Sequence, residues 1–517
     1  MKDNFSDTQL VRKRVVATRG GVVAAQHKKA ATVGAEVLAA GGDAVDAAVA
    51  TSFAIGVVEP WMSGIAAGGA MVLWRAKEKR AYVVDYGMRS PRGLDPADYP
   101  VIGGRDPELF SWPRVRGDRN VQGASAVAVP GVVAGMELAH QRFGRLPWRE
   151  LVAPATKLAR DGMLLDWYAG LLIASTAKAL SLDAHAAALF LDDGQWPPLA
   201  GWTATTERRL DQRRLADSLE TIGRDGAPVL YGGDLGAAIV DDVHAKGGSL
   251  ALDDLASYRA QWAEPLDVPY HGGRIFAAPG MTGGPVLAAC LADLQAVAKP
   301  RYADYARALA RHWRERFENA GDRESCTTHF SIVDGEGNFC AVTQTLLSIF
   351  GSRVLSPSTG VLLNNGIMWF DPESGKPNSL APDKRCLGNY CPIVGETPST
   401  DRFALGAAGG RKIVGAVLQI SAFLIDHGLT LEDAFHRARI DMSGGDTVLA
   451  DLALPPDERA GLEAAFTVVS ARRGLYPDVY ARPCGVLRSG ETNMGCTEPA
   501  QPWADTVAEP IRGQAPN

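Results

Sequence analysis

The stretch from Asp43 to Val58 constrains the fold most, because it predicts a helix that is apolar on almost every side. Asp43 is a suitable helix N-cap, and Pro60 ends the helix just before it. The segment contains Thr51 and Ser52 and is too short to cross a bilayer. A helix without a polar face must be covered all round, so this one is expected to lie between layers of other elements.

The sequence also predicts two β-hairpins, each beside long apolar helices. In the first, AMVLWRA and AYVVDYG flank the charged turn at 77–80. In the second, THFSIVD and FCAVTQT flank the turn sequence GEGN, which follows Asp334. Further helices are predicted over 29–40, 132–143, 148–160, 235–246, 285–297, 302–319 and 413–426. These elements indicate an α+β fold in which helices flank a mainly antiparallel sheet.

Composition and charge limit the functional classes. The chain has 517 residues and a net charge of −6, so nothing points to nucleic acid or to an acidic membrane surface. Seven cysteines without a CxxC pair predict free thiols in a reducing compartment. Residues 1–21 have no apolar stretch long enough for a signal peptide, so the cytoplasm is the expected location. The polar tail at 498–517 is expected to be loosely ordered.

Several familiar catalytic and cofactor motifs do not occur in the sequence. It holds no Walker loop, HExxH, GxSxG elbow or Rossmann GxGxxG. The nine histidines are dispersed, and His427 and His436 do not share a helical face at ligand spacing. The sequence therefore predicts neither a metal site nor a bound cofactor.

Thr327 and Thr328 stand at the start of the second hairpin, after the helix predicted over 302–319. Threonine is β-branched and commonly packs in strands, so the pair alone is compatible with an ordinary strand. A threonine hydroxyl is a weak nucleophile that needs a base. If the chain were cut just before Thr327, the new α-amino group, with a reference pKa of about 7.7–8.0, would supply that base without a His–Asp relay.

Ordered blocks of sequence from about residue 21 to residue 483 extend this argument. The blocks are GGVVAAQHKKAATVGAEVLAAGGDAVDAAVATSFAIGVVEPWMSGIAAGGAMVLW, VPGVVAGMELAHQRFGRLPW, PGMTGGPVLAACL, TTHFSIVDGEGNFCAVTQTL, GVLLNN and LGAAGGRKI. Together they resemble the γ-glutamyltransferase family of N-terminal-nucleophile hydrolases. The resemblance implies an αββα sandwich of two stacked, mainly antiparallel sheets flanked by helices.

On this resemblance, Thr327 matches the nucleophile that becomes a new N-terminus when the precursor cleaves its own Cys326–Thr327 bond. The products are a large subunit, 1–326, and a small subunit, 327–517, which stay associated as one intertwined unit. Thr345 matches a second threonine that hydrogen-bonds the nucleophile. Gly409 and Gly410 match a pair whose backbone N–H groups stabilise the oxyanion, which needs close backbone approach. Self-cleavage precedes the free amine, so it needs help from another group.

The sequence departs from the family pattern where the substrate α-amino group is held. In the family, an amide and an acid follow the Asn-Asn pair, whereas here Asn365 is followed by Gly366, and Trp369 stands at the acid position. An ammonium group buried without such partners would be very unfavourable. Met368, Trp369 and Phe370 instead suggest either an apolar substrate pocket or a plain core cluster.

Further departures affect the groups that bind the α-carboxylate in the family. The position of its arginine is occupied by Gly87, and the nearest arginine is Arg89. A Ser-Ser pair is replaced by Gly388-Asn389, and an asparagine two residues past the second threonine is replaced by Leu347. Arg89 and Arg411 remain candidates for a substrate carboxylate, although each also suits a structural role.

The resemblance thus implies a self-processing amidohydrolase that acts on a small carboxylate-bearing amide without an α-amine, such as oxamate or a glutaryl compound. Its expected partners are that small molecule and its own two subunits, with no nucleic acid or membrane. Three alternatives stay open. They are a true glutathione hydrolase and γ-glutamyltransferase, a non-catalytic binding protein that keeps the fold, and a cysteine hydrolase that uses Cys326.

Overall fold

The computed structural model describes residues 11–105, 113–199, 207–319, 326–443 and 445–510. Its strands are β1 Val16–Thr18, β2 Val22–Ala25, β3 Gly68–Arg75, β4 Arg80–Tyr86, β5 Val101–Arg105, β6 Pro113–Val115, β7 Met163–Leu164, β8 Arg209–Leu210, β9 Gln261–Ala263, β10 Leu266–Tyr270, β11 Gly273–Ala277, β12 Cys326–Val333, β13 Phe339–Leu347, β14 Ile393–Glu396, β15 Arg402–Ala408, β16 Ile440–Asp441, β17 Thr447–Asp451, β18 Thr467–Ala471, β19 Arg482–Ser489, β20 Thr492–Thr497 and β21 Asp505–Ala508. Its helices are α1 Lys28–Ala39, α2 Ala44–Val58, α3 Val132–Phe143, α4 Trp148–Asp161, α5 Trp167–Leu180, α6 Ala184–Phe190, α7 Arg213–Asp225, α8 Asp234–Ala245, α9 Leu252–Ala256, α10 Gly284–Leu294, α11 Tyr302–Asn319, α12 Lys412–Ile425, α13 Leu431–His436 and α14 Pro456–Glu463.

Two seven-stranded sheets form the centre of the molecule. Sheet I has the order β1-β20-β19-β15-β14-β11-β10, and sheet II has the order β21-β2-β12-β13-β3-β4-β9. Neighbouring strands in both sheets are antiparallel. The sheets stack face to face, so that a Cβ added to Gly406 of β15 would lie 2.3 Å from the imidazole of His329 on β12. The αββα sandwich is therefore confirmed.

Three apolar cores hold these layers together. Alternate residues of β2 show the arrangement, because Val22 faces the core between the sheets whereas Val23 faces the core beneath α1 and α2. A third core joins sheet I to α10, α11 and α12. Every residue of α2 is buried, and Asp43 caps it through a reciprocal capping box with Asp46. The prediction that this helix lies between layers is thus correct.

Each sheet takes strands from both sides of position 326. In sheet II, β12 pairs with β2 and β13 pairs with β3, while in sheet I β14 pairs with β11. A chain cut before Thr327 would therefore leave two pieces that share both sheets and all three cores.

The predicted tail needs correction. Residues 505–508 form β21, which pairs with β2 at the edge of sheet II, so the chain is ordered beyond 498. Backbone pairing with a distant strand holds this part of the tail in place, and residues 511–517 lie outside the described residues. No helix within the described residues has both the length and the apolar character needed to cross a membrane.

The six cysteines whose side chains are described are free and buried thiols.

Candidate active site

Thr327 lies at the start of β12, where the pairing with β13 is interrupted. Cys326 pairs with Leu347 and Thr328 pairs with Gln344, so the register shifts by one residue around Thr327. The extra residue is on β13, where Thr345 and Leu346 both lie opposite Thr327. Such bulges are frequent beside active sites. Thr327 is buried, with 2 % of its surface exposed. The side chain of Cys326 and residues 320–325 lie outside the described residues.

The direction of the Thr327 side chain follows from its position on β12. Side chains two residues apart on a strand point to the same face. His329 faces sheet I at Gly406, so Thr327 is directed towards the space between the sheets, near the end of β15. Burial lowers the pKa of His329 to about 3, and its ring nitrogens lie 2.8 Å from Thr343 Oγ1 and 2.9 Å from Ser331 Oγ. The imidazole is therefore neutral and structural.

Thr345 and Leu347 form the neighbouring end of β13. Thr345 is fully buried opposite Gly68 of β3, and its Oγ1 accepts a hydrogen bond of 2.8 Å from the Leu347 N–H. Leu347 has φ of 95°, a conformation that costs a side-chain-bearing residue roughly 1–3 kcal/mol. Strain of this kind persists only where the surrounding structure imposes it, and here it lies opposite Cys326.

Gly409 and Gly410 form the turn between β15 and α12. Their φ values of 128° and 60° are in the region that favours glycine. A Cβ on Gly409 would lie 2.9 Å from Ala481 Cα, so the backbone of β15 and the segment before β19 come together here. The turn directly precedes α12, whose N-terminal end carries a partial positive charge that favours an anion. The predicted oxyanion pair thus has suitable surroundings.

Glu59 also lies in this region, although the sequence did not predict a role for it. It follows α2, is 1 % exposed, and its Oε2 accepts a hydrogen bond of 2.7 Å from Thr328 Oγ1. Burial raises its pKa to about 7, although Arg482 and the bond from Thr328 act in the opposite direction. An acidic residue ending an entirely apolar helix was the available sequence signal, because buried carboxyl groups are rare without a specific partner.

The raised pKa of Glu59 predicts a pH-dependent stability in the uncut chain. The folded form keeps the Glu59 proton up to about pH 7, whereas the unfolded form loses it near 4.5. The folded state therefore binds more protons between these values, and its free energy of unfolding should fall by about 3 kcal/mol as pH rises through this window. Denaturant unfolding of the Thr327→Ala protein at pH 5 and pH 8 measures the change. Adding Glu59→Gln should remove it, and equal pH dependence in both proteins would contradict it.

An apolar cluster lies beside β12 and β13. Leu347, Met88, Trp369 and Tyr390 belong to the core between the sheets, and the rings of Trp369 and Tyr390 are 5.8 Å apart. Met88 packs on Gly68, the residue paired with Thr345. Trp369 is 2 % exposed, so it is part of a packed core that reaches the site.

The positions that carry polar groups in the family are closed here by neighbouring atoms. A Cβ added to Gly87 would lie 2.7 Å from the Tyr390 hydroxyl, and one added to Gly366 would lie 2.6 Å from Ala128 Cβ. These contacts leave no room for an arginine or an amide side chain at the two positions without rearrangement.

Asn365 and the Gly388-Asn389 pair have structural contacts. Asn365 bonds Ser348 through both of its side-chain polar atoms, at 2.9 Å each. Arg316 Nη2 donates to Gly388 O at 2.7 Å and to Asn389 Oδ1 at 3.3 Å. The predicted substrate-binding role of these residues stays a prediction, and their described contacts are with other side chains and backbone atoms of the protein.

The two arginines predicted to meet a substrate carboxylate have other partners. Arg89 Nε lies 3.2 Å from Asp383 Oδ1, and its Nη2 donates to Ser257 Oγ at 2.9 Å. Arg411 is 4 % exposed, with its guanidinium over the Phe317 ring. A third arginine, Arg385, was not predicted from the sequence.

Arg385 lies beside Gly87. Its Nη1 is 3.6 Å from the position of an added Gly87 Cβ, donates to Gly87 O, and lies 3.0 Å from the Tyr258 hydroxyl. The Arg385 side chain keeps 26 % of its surface exposed. A cationic group therefore stands next to the apolar cluster, although it comes from a different segment than expected.

A separate cavity of about 530 Å³ lies on the helix side of sheet II. Phe53, Ser63, Leu219 and Leu362 are among its lining residues, and Thr327 is not. Ser63 Oγ accepts a hydrogen bond of 2.6 Å from Gln344, the pairing partner of Thr328. The cavity therefore approaches β12 and β13 from the helix-covered face of sheet II.

The four-layer fold, with a threonine at the start of a central strand opposite a bulge in its partner strand, and a Gly-Gly turn at the end of a strand in the facing sheet, is that of the N-terminal-nucleophile hydrolases. The chain belongs to the gamma-glutamyltranspeptidase family, whose sequence profile matches residues 30–318 and 293–502. It is an enzyme of the amidohydrolase and acyltransferase type, and its relatives place it with the acylase-like members.

Three relatives illustrate this placement. The chain is 33% identical to the Acylase ACY 1 proenzyme of Pseudomonas sp. (strain V22), over 85% of each chain. It is 28% identical to the glutathione hydrolase proenzyme of Escherichia coli (strain K12), covering 89% of this chain and 87% of the relative. The crystal structure of cephalosporin acylase from Bacillus halodurans superposes with a TM-score of 0.82 at 22% identity, covering 98% and 99% of the two chains, which shows the shared fold.

Proposed function

We propose that the protein is a precursor that cleaves its own Cys326–Thr327 bond and then hydrolyses an amide of a small carboxylate-bearing substrate through an acyl-Thr327 ester. The observation that carries this proposal is the position of Thr327 at the interrupted start of β12. Large subunit 1–326 and small subunit 327–517 would remain a heterodimer, because both contribute strands to each sheet. We also propose that the enzyme works in the cytoplasm.

The proposed reaction uses the freed terminus of the small subunit. Thr327 Oγ attacks the amide carbonyl while the Thr327 amine takes the hydroxyl proton. The N–H groups of Gly409 and Gly410 stabilise the resulting oxyanion. The amine then passes the proton to the leaving nitrogen as the C–N bond breaks, and water resolves the ester.

The surroundings of the site favour an acyl group without an α-amine. The positions that hold an α-ammonium group in the family are occupied by Gly366, which is closed by Ala128, and by Trp369 in an apolar core. Burying an unpaired ammonium there would be very unfavourable. Arg385 offers a cation for the carboxylate at the far end of the acyl chain. Two relatives are named acylases, which agrees with cleavage of an acyl group from an amide.

Two chromogenic amides that differ by one group test the substrate proposal. Glutaryl-p-nitroanilide and γ-glutamyl-p-nitroanilide are identical except for the α-ammonium group. The glutaryl compound should have kcat/KM at least about 100-fold higher, because the site lacks partners for the ammonium. Release of p-nitroaniline by the mature protein gives both values, and oxamate is tested by ammonia release.

Two controls accompany this comparison. Thr327→Ala protein should release no amine from either compound, which excludes a contaminating amidase. Arg385→Gln should raise KM for the glutaryl compound if Arg385 binds its carboxylate. Faster turnover of the γ-glutamyl compound would instead favour a true glutathione hydrolase.

A further inference from the structure

We propose that Glu59 is a positioning residue, a large-subunit carboxylate that stabilises the ammonium group formed when the Thr327 amine takes the proton of its own hydroxyl. This inference rests on the proposed function, because the amine exists only after cleavage before Thr327. It assigns a role to a buried group that neither the fold nor the reaction above otherwise requires.

The position of Glu59 is fixed from both sides. Its N–H bonds Ile55 O at 2.8 Å at the end of α2, and the next residue is Pro60, which restricts its backbone. Its carboxylate is 2.7 Å from Thr328 Oγ1. Thr328 in turn pairs with Gln344 of β13. The carboxylate is therefore held against Thr328, the residue that follows the one whose nitrogen becomes the new terminus.

The described surroundings of Glu59 leave its charge incompletely balanced in the uncut chain. Its hydrogen-bond donor is a neutral hydroxyl, and burying a carboxylate on such a partner is unfavourable. The nearby cation, Arg482 of β19, also lies 3.4 Å from Asp478 and 3.1 Å from the Tyr168 hydroxyl. The Cys484 thiol of β19 is near as well, and Glu59 contributes to keeping it protonated. A new ammonium at Thr327 would supply the missing positive charge.

Glu59 and the Gly409–Gly410 turn lie on opposite sides of the proposed site. Arg482 pairs with Ala408, the residue before Gly409, so the Glu59–Arg482 region joins the start of β12 to the end of β15. Cleavage releases the start of β12 from the preceding chain, and free termini fray unless they are tied down. The bond from Thr328 to Glu59 ties this terminus to the large subunit.

The proton transfers of the proposed reaction do not require Glu59 to gain or lose a proton. As Thr327 Oγ forms its bond to the acyl carbon, its proton moves to the amine and produces the ammonium. The same proton passes to the leaving nitrogen when the C–N bond breaks, and Glu59 stays ionised throughout. A buried carboxylate next to a base acts in this way when it stabilises the protonated base and orients it.

The pH dependence of hydrolysis by cleaved protein tests this role. Glu59→Gln removes the negative charge and keeps the shape, so it should lower kcat for glutaryl-p-nitroanilide by about tenfold. It should also shift the acid limb of kcat/KM to lower pH by about one unit, because the amine loses a stabilising negative neighbour. Glu59→Asp, which retains the charge, should restore the acid limb towards its original pH.

Several results would overturn the assignment and spare the proposed function. One is an acid limb in Glu59→Gln that coincides with that of the unaltered protein. Another is folded Glu59→Gln protein that stays uncut, because self-cleavage precedes the amine and Glu59 would then serve an earlier step. Failure of the unaltered protein to cleave before Thr327 would refute the proposed function itself.

Discussion

Replacing Thr327 with alanine is expected to abolish both self-cleavage and amide hydrolysis. The variant keeps the backbone but removes the hydroxyl that attacks the preceding carbonyl in the precursor and the substrate carbonyl in the mature enzyme. Denaturing gel electrophoresis should show two fragments for the unaltered protein and one band of full length for the variant. N-terminal sequencing of the smaller fragment should begin at Thr327.

Matched substitutions separate this role from folding. Thr327→Ser keeps a hydroxyl and should still cleave, whereas Thr328→Val changes the neighbouring hydroxyl and should also cleave. Alkylation of thiols should leave activity intact if Cys326 is only the residue before the cut. Full-length unaltered protein with amidase activity would exclude an N-terminal nucleophile, and uncut protein without activity would favour a binding protein that keeps the fold.

Gly409→Ala is expected to lower kcat of the mature enzyme by about 100-fold to 1000-fold, the effect of losing one oxyanion donor. Alanine is strained at φ of 128°, and its Cβ would lie 2.9 Å from the backbone Cα of Ala481. Backbone atoms cannot move aside as a flexible side chain does, so the turn should shift and misdirect its N–H groups. KM should change much less than kcat, because the oxyanion forms only in the transition state.

Gly461→Ala is the control for this substitution. Gly461 lies in α14, and a Cβ added there meets no heavy atom within 4 Å. Alanine should be neutral or slightly stabilising at this helical position. Steady-state kinetics on the cleaved fraction of each variant make the comparison. An unchanged kcat in folded, cleaved Gly409→Ala protein would remove Gly409 from the oxyanion site.

The sequence predicted most of the elements that surround the site, because each depends on local patterns. The helices at 132–143 and 302–319 have the bounds that periodicity predicts. The second hairpin follows from alternating strand residues and turn chemistry, and the Asp43 cap was correctly identified. The paired sheets were implied by resemblance, since stacking depends on contacts between distant segments.

The arrangement of charges around the site could not be read from the sequence. Arg89 is close to Gly87 along the chain, yet the guanidinium beside Gly87 is that of Arg385, 298 positions away. Glu59 meets Thr328 across a separation of 269 positions. No local pattern reports such pairs, because only the folded backbone brings these segments together.

By itself, the sequence determined the apolar helix, the hairpin that carries Thr327 and the need of any threonine nucleophile for a base. These follow from residue type and spacing alone. The tertiary structure decided that the pairing of β12 with β13 shifts register at Thr327, that β21 completes sheet II and that the buried carboxylate of Glu59 accepts a hydrogen bond from Thr328. The physical reason is that strand pairing and burial join residues far apart in the chain, whereas propensity and capping act over a few neighbouring positions.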